Sequence, residues 1–112
     1  TDFMVTVRGT NVYQTAVENL LGGVVGVSPF YQLVLEHADG NDRMTIEFEP
    51  EKNVPASQWF PLAEIVAGAI HRALHVRIEV TAVAPDSLPR YDLKTKRIID
   101  KRPPELRRVL DR

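Results

Sequence analysis

At 112 residues the chain has the size of one domain, with 14 basic and 15 acidic side chains and a formal net charge of −1. Hydrophobic residues at 44% exclude a disordered chain; no apolar run reaches the ~18 residues of a membrane helix, and no cationic start leads into a secretory signal. The absence of cysteine excludes disulfides, thiolate zinc sites and cysteine nucleophiles, and makes a reducing cytoplasm the expected location.

Phe3, Val5 and Val7 alternate on one face, which predicts a strand over residues 3–8. Gly9-Thr10 breaks it. Asn11 has the chemistry of a helix N-cap and Gln14 stands where a capping-box partner belongs. Tyr13, Ala16, Val17, Leu20 and Leu21 then share one helical face, and Gly22-Gly23 is expected to end the helix in the left-handed conformation. Two strands follow, carrying Tyr31, Leu33 and Leu35 and then Met44, Ile46 and Phe48; the Asp39-Gly40 signal between them predicts a hairpin. Leu62, Ile65, Val66, Ala69, Ile70, Ala73 and Leu74 predict a helix over about 58–75, with Ser57 as a cap and Pro61 in its opening turn. A strand over 76–83 alternates Ile78, Val80 and Ala82, and Pro85 to Pro89 closes the regular structure, apart from a short helix expected around Leu106, Val109 and Leu110. The order β-α-β-β-α-β predicts an α+β fold. We expect a two-layer sandwich with a small antiparallel or mixed sheet of three to four strands, two amphipathic helices on one face, and a basic C-terminal tail.

Charge is unevenly divided. Residues 90–112 hold nine basic and four acidic groups, or +5, leaving five and eleven, or −6, on residues 1–89. A basic end on an acidic body points to anionic partners. The start at Thr1, without an initiator Met, suggests a piece of something longer.

No complete active site is encoded. His71 and His75 have helical i, i+4 spacing, but Arg72 stands where a zincin needs Glu, so they are expected to be solvated and no metal site is expected. None of the three serines lies in a nucleophile elbow, and Gly22-Gly23-Val24-Val25-Gly26 lacks the lysine and helix of a phosphate loop. Asp39, Asp42, Glu47 and Glu49 are expected on the hairpin's wet face. Trp59 and Phe60 fit a core position or a docking patch equally well.

Four ordered segments carry a resemblance. Arg8-Gly9-Thr10-Asn11-Val12-Tyr13 follows Asp2; Ser28-Pro29-Phe30-Tyr31-Gln32 comes next; Ser87, Arg90, Lys94, Arg97, Ile99 and Asp100 complete a spaced run. In order and spacing they resemble the C-terminal domain of adenylate-forming enzymes of the phenylacetate–coenzyme A ligase family. The resemblance implies a mobile domain of an ATP-dependent aryl-acid–CoA ligase, inactive without its own N-terminal adenylation domain. It implies Lys94 as the adenylation lysine, Asp2 as the hinge, and Arg8, Gly9 and Thr10 as the loop for coenzyme A and thioester formation. Lys96 and Arg97 are candidates for phosphate or nucleotide contacts, with a solvated basic tail as their alternative. ATP, Mg2+ and coenzyme A would serve the full-length enzyme, none of them bound by this domain alone, and a homodimer of the full enzyme is compatible with the resemblance. Its partners are a small carboxylic acid, ATP and CoA, with neither nucleic acid nor membrane.

On this reading residues 1–10 are hinge and strand loop, 11–89 the compact domain, and 90–112 the lysine-bearing loop and tail. Three positions depart from the family pattern. Leu93 replaces the glycine before the lysine, Phe3 a second acid after Asp2, and Gln14 a proline, the last expected to have no functional consequence. The competing readings are a free-standing module whose basic arm grips nucleic acid, and a small-molecule regulatory domain. Against the first, the body is acidic and base-stacking strand aromatics with their basic-glycine motif are missing.

Overall fold

A computed structural model describes residues 2–107. Among them the order is β1 (Met4–Val7), β2 (Thr10–Tyr13), α1 (Gln14–Gly22), β3 (Val27–Ala38), β4 (Asn41–Pro50), α2 (Trp59–Leu74), β5 (Glu79–Ala82) and β6 (Ile98–Asp100). β3 and β4 form an antiparallel hairpin, with β5 parallel to β4 and β6 parallel to β3, giving a mixed sheet ordered β5-β4-β3-β6. β1 and β2 pair antiparallel as a separate two-stranded ribbon. This is the expected α+β sandwich.

Both hairpins turn through two residues of positive φ, Arg8 (50°) with Gly9 (80°) and Asp39 (54°) with Gly40 (78°). Such mirror-image turns match the twist of paired strands, and glycine adopts the second position without steric cost. Only the Asp-Gly pair carries the usual signal, which is why the sequence reading finds the second hairpin and overlooks the first.

That oversight displaces the helix start. Asn11 is not a cap: it lies in β2, opposite Thr6, whose hydroxyl donates to its Oδ1 at 2.9 Å. α1 begins at Gln14 without a capping side chain on Tyr13. Its open N–H groups are met by the chain's own beginning: Gln14 N–H donates to the Phe3 carbonyl at 2.9 Å and Thr15 N–H to Asp2 Oδ1 at 3.1 Å. A carboxylate here also complements the helix dipole. Tyr13, expected on the apolar stripe, is 45% exposed, whereas Val17 and Leu21 are buried. The helix stops near Gly22-Gly23, yet Gly23 keeps a right-handed φ of −89°. The positive φ falls instead at Gly26.

α2 buries Leu62, Ala63, Val66 and Ile70; Ile65 and Phe60 lie exposed, and Ser57 belongs to a 3-10 turn rather than a cap. Trp59 is half-buried, its indole N–H donating to the Val54 carbonyl at 3.2 Å. His71 and His75 are exposed. One core unites Val5, Val7 and Val12 of the ribbon, Val17 and Leu21 of α1, Leu33, Leu35, Ile46 and Phe48 of the sheet, and the α2 stripe. Regular structure does not end at Pro89, because β6 completes the sheet and a 3-10 turn, Pro104–Leu106, follows. The helix expected near Leu106 is that single turn; Val109 and Leu110 lie outside the described residues.

Candidate functional site around Lys94

The segment joining β5 to β6 presents Lys94, and it is fastened at both ends. At the near end is Glu49, 2% exposed and therefore not on a wet hairpin face. Its carboxylate accepts from Asp86 N–H (2.8 Å), Leu88 N–H (2.9 Å) and both terminal nitrogens of Arg90 (2.8 and 3.1 Å). Burial alone would raise the Glu49 carboxyl, but these hydrogen bonds, Arg90's foremost, outweigh it and hold the group below the usual glutamate range. The Arg90 guanidinium also stacks on Phe30, 3.5 Å from the ring centroid. Tyr91 then donates to Gln32 Oε1 at 2.7 Å. Gln32, Glu47 and Glu49 alternate with the core residues Tyr31, Leu33, Ile46 and Phe48, so the segment crosses the outer face before reaching the β3 edge.

The far end is closed by Arg102. Its side chain is 2% exposed, and its guanidinium holds Asp100 twice (2.9 and 2.7 Å) and Asp42 once (2.8 Å). Burial would raise both carboxyls. Hydrogen bonds from Arg102, and at Asp42 also from His37, prevail and hold them below the aspartate norm. The basic end is thus built into the fold. Arg90 on Glu49 and the buried Arg102 spend two of the arm's nine basic groups on internal ion pairs, while Arg97 stacks over Tyr31 (4.8 Å to the centroid).

Between these fastenings Lys94 meets the start of α1. Gln14, 2% exposed, donates from Nε2 to the Lys94 carbonyl at 2.9 Å and to the Tyr31 hydroxyl at 3.2 Å. That hydroxyl donates to Glu18 Oε2 at 2.8 Å, and Lys94 Nζ lies 3.3 Å from Glu18 Oε1 and 3.2 Å from Thr15 Oγ1. Lys94, Gln14, Tyr31 and Glu18 therefore close a ring. Burial, helped by the Glu18 carboxylate, pushes the Tyr31 phenol up to about 12, so it stays a donor at neutral pH. The capping-box role expected of Gln14 is overturned: its amide joins helix to lysine loop. Beside the ring lies a cavity of ≈ 510 Å³ whose walls include Glu18, Leu21, Ser28, Tyr31 and Arg97.

Leu93 takes φ −120° and ψ 139°, an extended conformation open to any L-residue. In this arrangement glycine's freedom is not required before the lysine. Lys96 pairs with Asp92 at 3.3 Å, both side chains exposed, while Arg97 donates to the Pro29 carbonyl at 2.9 Å.

The structure brings Asp2 and Lys94 together, both bonded to Thr15, one through its amide and one through its hydroxyl. Arg8, Gly9 and Thr10 lie elsewhere, at the far end of the ribbon, where Thr10 pairs with Val7 in the last of the rungs that begin at Met4–Tyr13 and Arg8-Gly9 make the turn. Three residue steps make about 10 Å of ladder. A groove of ≈ 290 Å³ there is bordered by Arg8, Glu36, Arg43, Arg77 and Glu79. The sequence reading missed Thr15 and Glu18 and placed Tyr31 only within a motif and a core stripe. Their legible signal is the i, i+1, i+4 spacing of Gln14, Thr15 and Glu18 on one side of α1. Among the described residues no group of three His, Asp or Glu side chains could hold a metal ion.

The fold and site define a class: a two-layer α+β domain displaying its charged groups on a ribbon and a tethered loop. Residues 9–102 match the family described as the AMP-binding enzyme C-terminal domain, and the chain belongs to that family. Phenylacetate-coenzyme A ligase of Aromatoleum evansii is 31% identical over 109 residues, covering 93% of this chain and 25% of its own length. The Thermus thermophilus enzyme of the same name is 30% identical, with 91% of this chain and 26% of its own length covered. The chain thus spans about a quarter of these curated relatives. Among solved structures, 2-hydroxyisobutyryl-CoA ligase in complex with 2-HIB-AMP and CoA superimposes with a TM-score of 0.80 at 29% identity, covering 90% of this chain and 22% of that one. A domain of phenylacetate-coenzyme A ligase from Bacteroides vulgatus shares the fold, with a TM-score of 0.78 at 24% identity over 92% of this chain and 96% of that one.

Proposed function

We propose that this chain is the mobile C-terminal domain of an ATP-dependent acid–CoA ligase and supplies a different end of itself to each half-reaction. In the first, a carboxylate oxygen attacks the α-phosphorus of ATP, the bond to diphosphate breaks, and diphosphate leaves. Two anions must meet, and a mobile ammonium such as Lys94 offsets the charge that builds between them. In the second, the thiolate of coenzyme A attacks the acyl carbon and AMP departs. Gly9 suits that step because the pantetheine must pass close to backbone. Support comes from one observation above all. Lys94 and Asp2, the residue given the hinge role, both bond to Thr15 at the base of the ribbon, while the Arg8-Gly9 turn caps its other end. Ends held rigidly apart are best served by a domain that swings, and the 2-hydroxyisobutyryl-CoA ligase relative was captured with both acyl-adenylate and CoA in its thioesterification state.

The acid pocket and the ATP site belong to an N-terminal adenylation domain outside this chain, so the chain alone is inert. An aryl or arylacetic acid is the substrate class. Mg2+ finds no carboxylate cluster among the described residues, and none of the steps given to this chain passes through it. Lys96 and Arg97 are reserve phosphate contacts, with Arg97 the better placed beside the cavity. The domain works in the cytoplasm, with residues 1–10 as hinge and strand loop, 11–89 as the compact domain and 90–112 as lysine-bearing loop and tail, β1 and β6 of the flanking parts packing onto the central one. The test is Lys94→Ala in the full-length ligase. Acid-dependent ATP–diphosphate exchange should fall at least 100-fold, the scale of one electrostatic group in a transition state. Thioester formation from supplied acyl-adenylate should be spared. Equal losses in both would end the assignment.

A further inference from the structure

We infer that Glu18 is a positioning residue for Lys94: it holds the amine on α1 when adenylation is not under way and releases it for that step. This rests on the adenylation role of Lys94. The lysine has a fixed base and a movable tip. Its backbone is pinned through the carbonyl by the buried Gln14 amide at 2.9 Å. Its side chain is 43% exposed, and both contacts of Nζ are long, 3.3 Å to Glu18 and 3.2 Å to Thr15. Movement is thus left to the side chain alone.

Glu18 is itself held in place. One oxygen faces Lys94; the other accepts from the Tyr31 hydroxyl at 2.8 Å, and Tyr31 is 3% exposed. An ammonium has three N–H donors; here one bonds Thr15 while Glu18 pairs with the charge at 3.3 Å, so α1 engages the amine twice. An amine that draws a carboxylate and a phosphate together must trade those partners for substrate oxygens. Glu18 therefore competes with the substrates for the same charge. The competition is mild, since half-exposed ion pairs are weak, so the lysine is released at every turnover while its resting position stays defined.

The experiment uses the full-length ligase with phenylacetate as probe acid, comparing wild type with Glu18→Gln, Tyr31→Phe and Lys94→Ala. Acid-dependent ATP–diphosphate exchange reads adenylation; thioester formation from supplied acyl-adenylate and CoA reads the second step. Glu18→Gln should speed exchange by about two- to fivefold at low ionic strength, the range an exposed pair permits. The ratio of variant to wild type should return toward one as salt approaches ~1 M, where screening extends over only ~3 Å. Thioester formation should not change. Tyr31→Phe removes the second anchor of Glu18 and one of the two acceptors of the Gln14 amide, whose bond to the Lys94 carbonyl stays, and should give a smaller gain of the same sign. Unchanged or slower exchange in Glu18→Gln, or a salt-independent loss in both half-reactions, would overturn the inference. If Lys94→Ala is impaired and Glu18→Gln shows no gain, the inference alone fails. If Lys94→Ala exchanges normally, the adenylation role falls too.

Discussion

Arg102→Met keeps an apolar stem and deletes a guanidinium that makes three side-chain hydrogen bonds to Asp100 and Asp42. Removing one partner of a buried ion pair costs about 3–5 kcal/mol, because the other charge is left without compensation. Here the acids keep partial solvent access, at 13% and 22% side-chain exposure, and Asp42 retains His37 at 2.8 Å. The loss should fall at the lower edge, about 3 kcal/mol at pH 7. At roughly 4 °C per kcal/mol for a domain of this size, the midpoint should drop by about 12 °C. The pH dependence has a definite sign. Both carboxyls are held below their usual range in the folded protein, so their contribution is complete above the unfolded values near 4 and is lost as pH falls through the folded ones. Urea titrations of wild type and variant should therefore differ strongly at pH 7 and much less at pH 3. A cost below about 1 kcal/mol at pH 7, or one that persists unchanged at pH 3, would refute the reasoning.

Leu93→Gly in the full-length enzyme should leave exchange within about twofold, because φ −120° does not call for glycine, and should cost up to ~1 kcal/mol through added freedom of the unfolded chain; a large gain in rate would show that the loop needs a conformation this one does not reveal. Gly9→Ala should lose about 1–2 kcal/mol from backbone strain at φ +80° alone, since an added Cβ meets nothing within 4 Å; circular-dichroism melts would read it. Gln14→Met deprives the Lys94 carbonyl of its donor and should cost about 1–2 kcal/mol. Amide exchange at Lys96, which donates to the Leu93 carbonyl, should quicken; equal destabilisation with unaltered exchange there would contradict the tether.

The sequence disclosed the parts whose signals are local. The β3–β4 hairpin announces itself through Asp39-Gly40, and α2 through a seven-residue apolar stripe of which Leu62, Val66 and Ile70 are buried. Arg8-Gly9 makes the same turn with a residue that carries no turn preference, so β2 resembles the opening of α1 in sequence. The true complement to that helix, Asp2, lies 13 residues away from Thr15 and could not be found by a rule about neighbours. β6 was hidden for a related reason. Ile98 and Ile99 look like interruptions in a charged tail until Arg102 is buried against Asp42, sixty positions earlier. The family resemblance points to Lys94, Gly9 and Asp2, whereas the ring that holds Lys94 depends on contacts from positions 14, 15, 18 and 31.

The central claim is that Lys94 and Gly9 serve separate half-reactions from opposite ends of one ribbon. The most direct measurement crosses the two: Lys94→Ala and Gly9→Leu in the full-length ligase, each assayed for acyl-adenylate formation and for thioester formation from supplied adenylate. Opposite defects are expected, with Lys94→Ala failing only the first step and Gly9→Leu only the second. Two variants that fail the same step, or fail both steps alike, would contradict it.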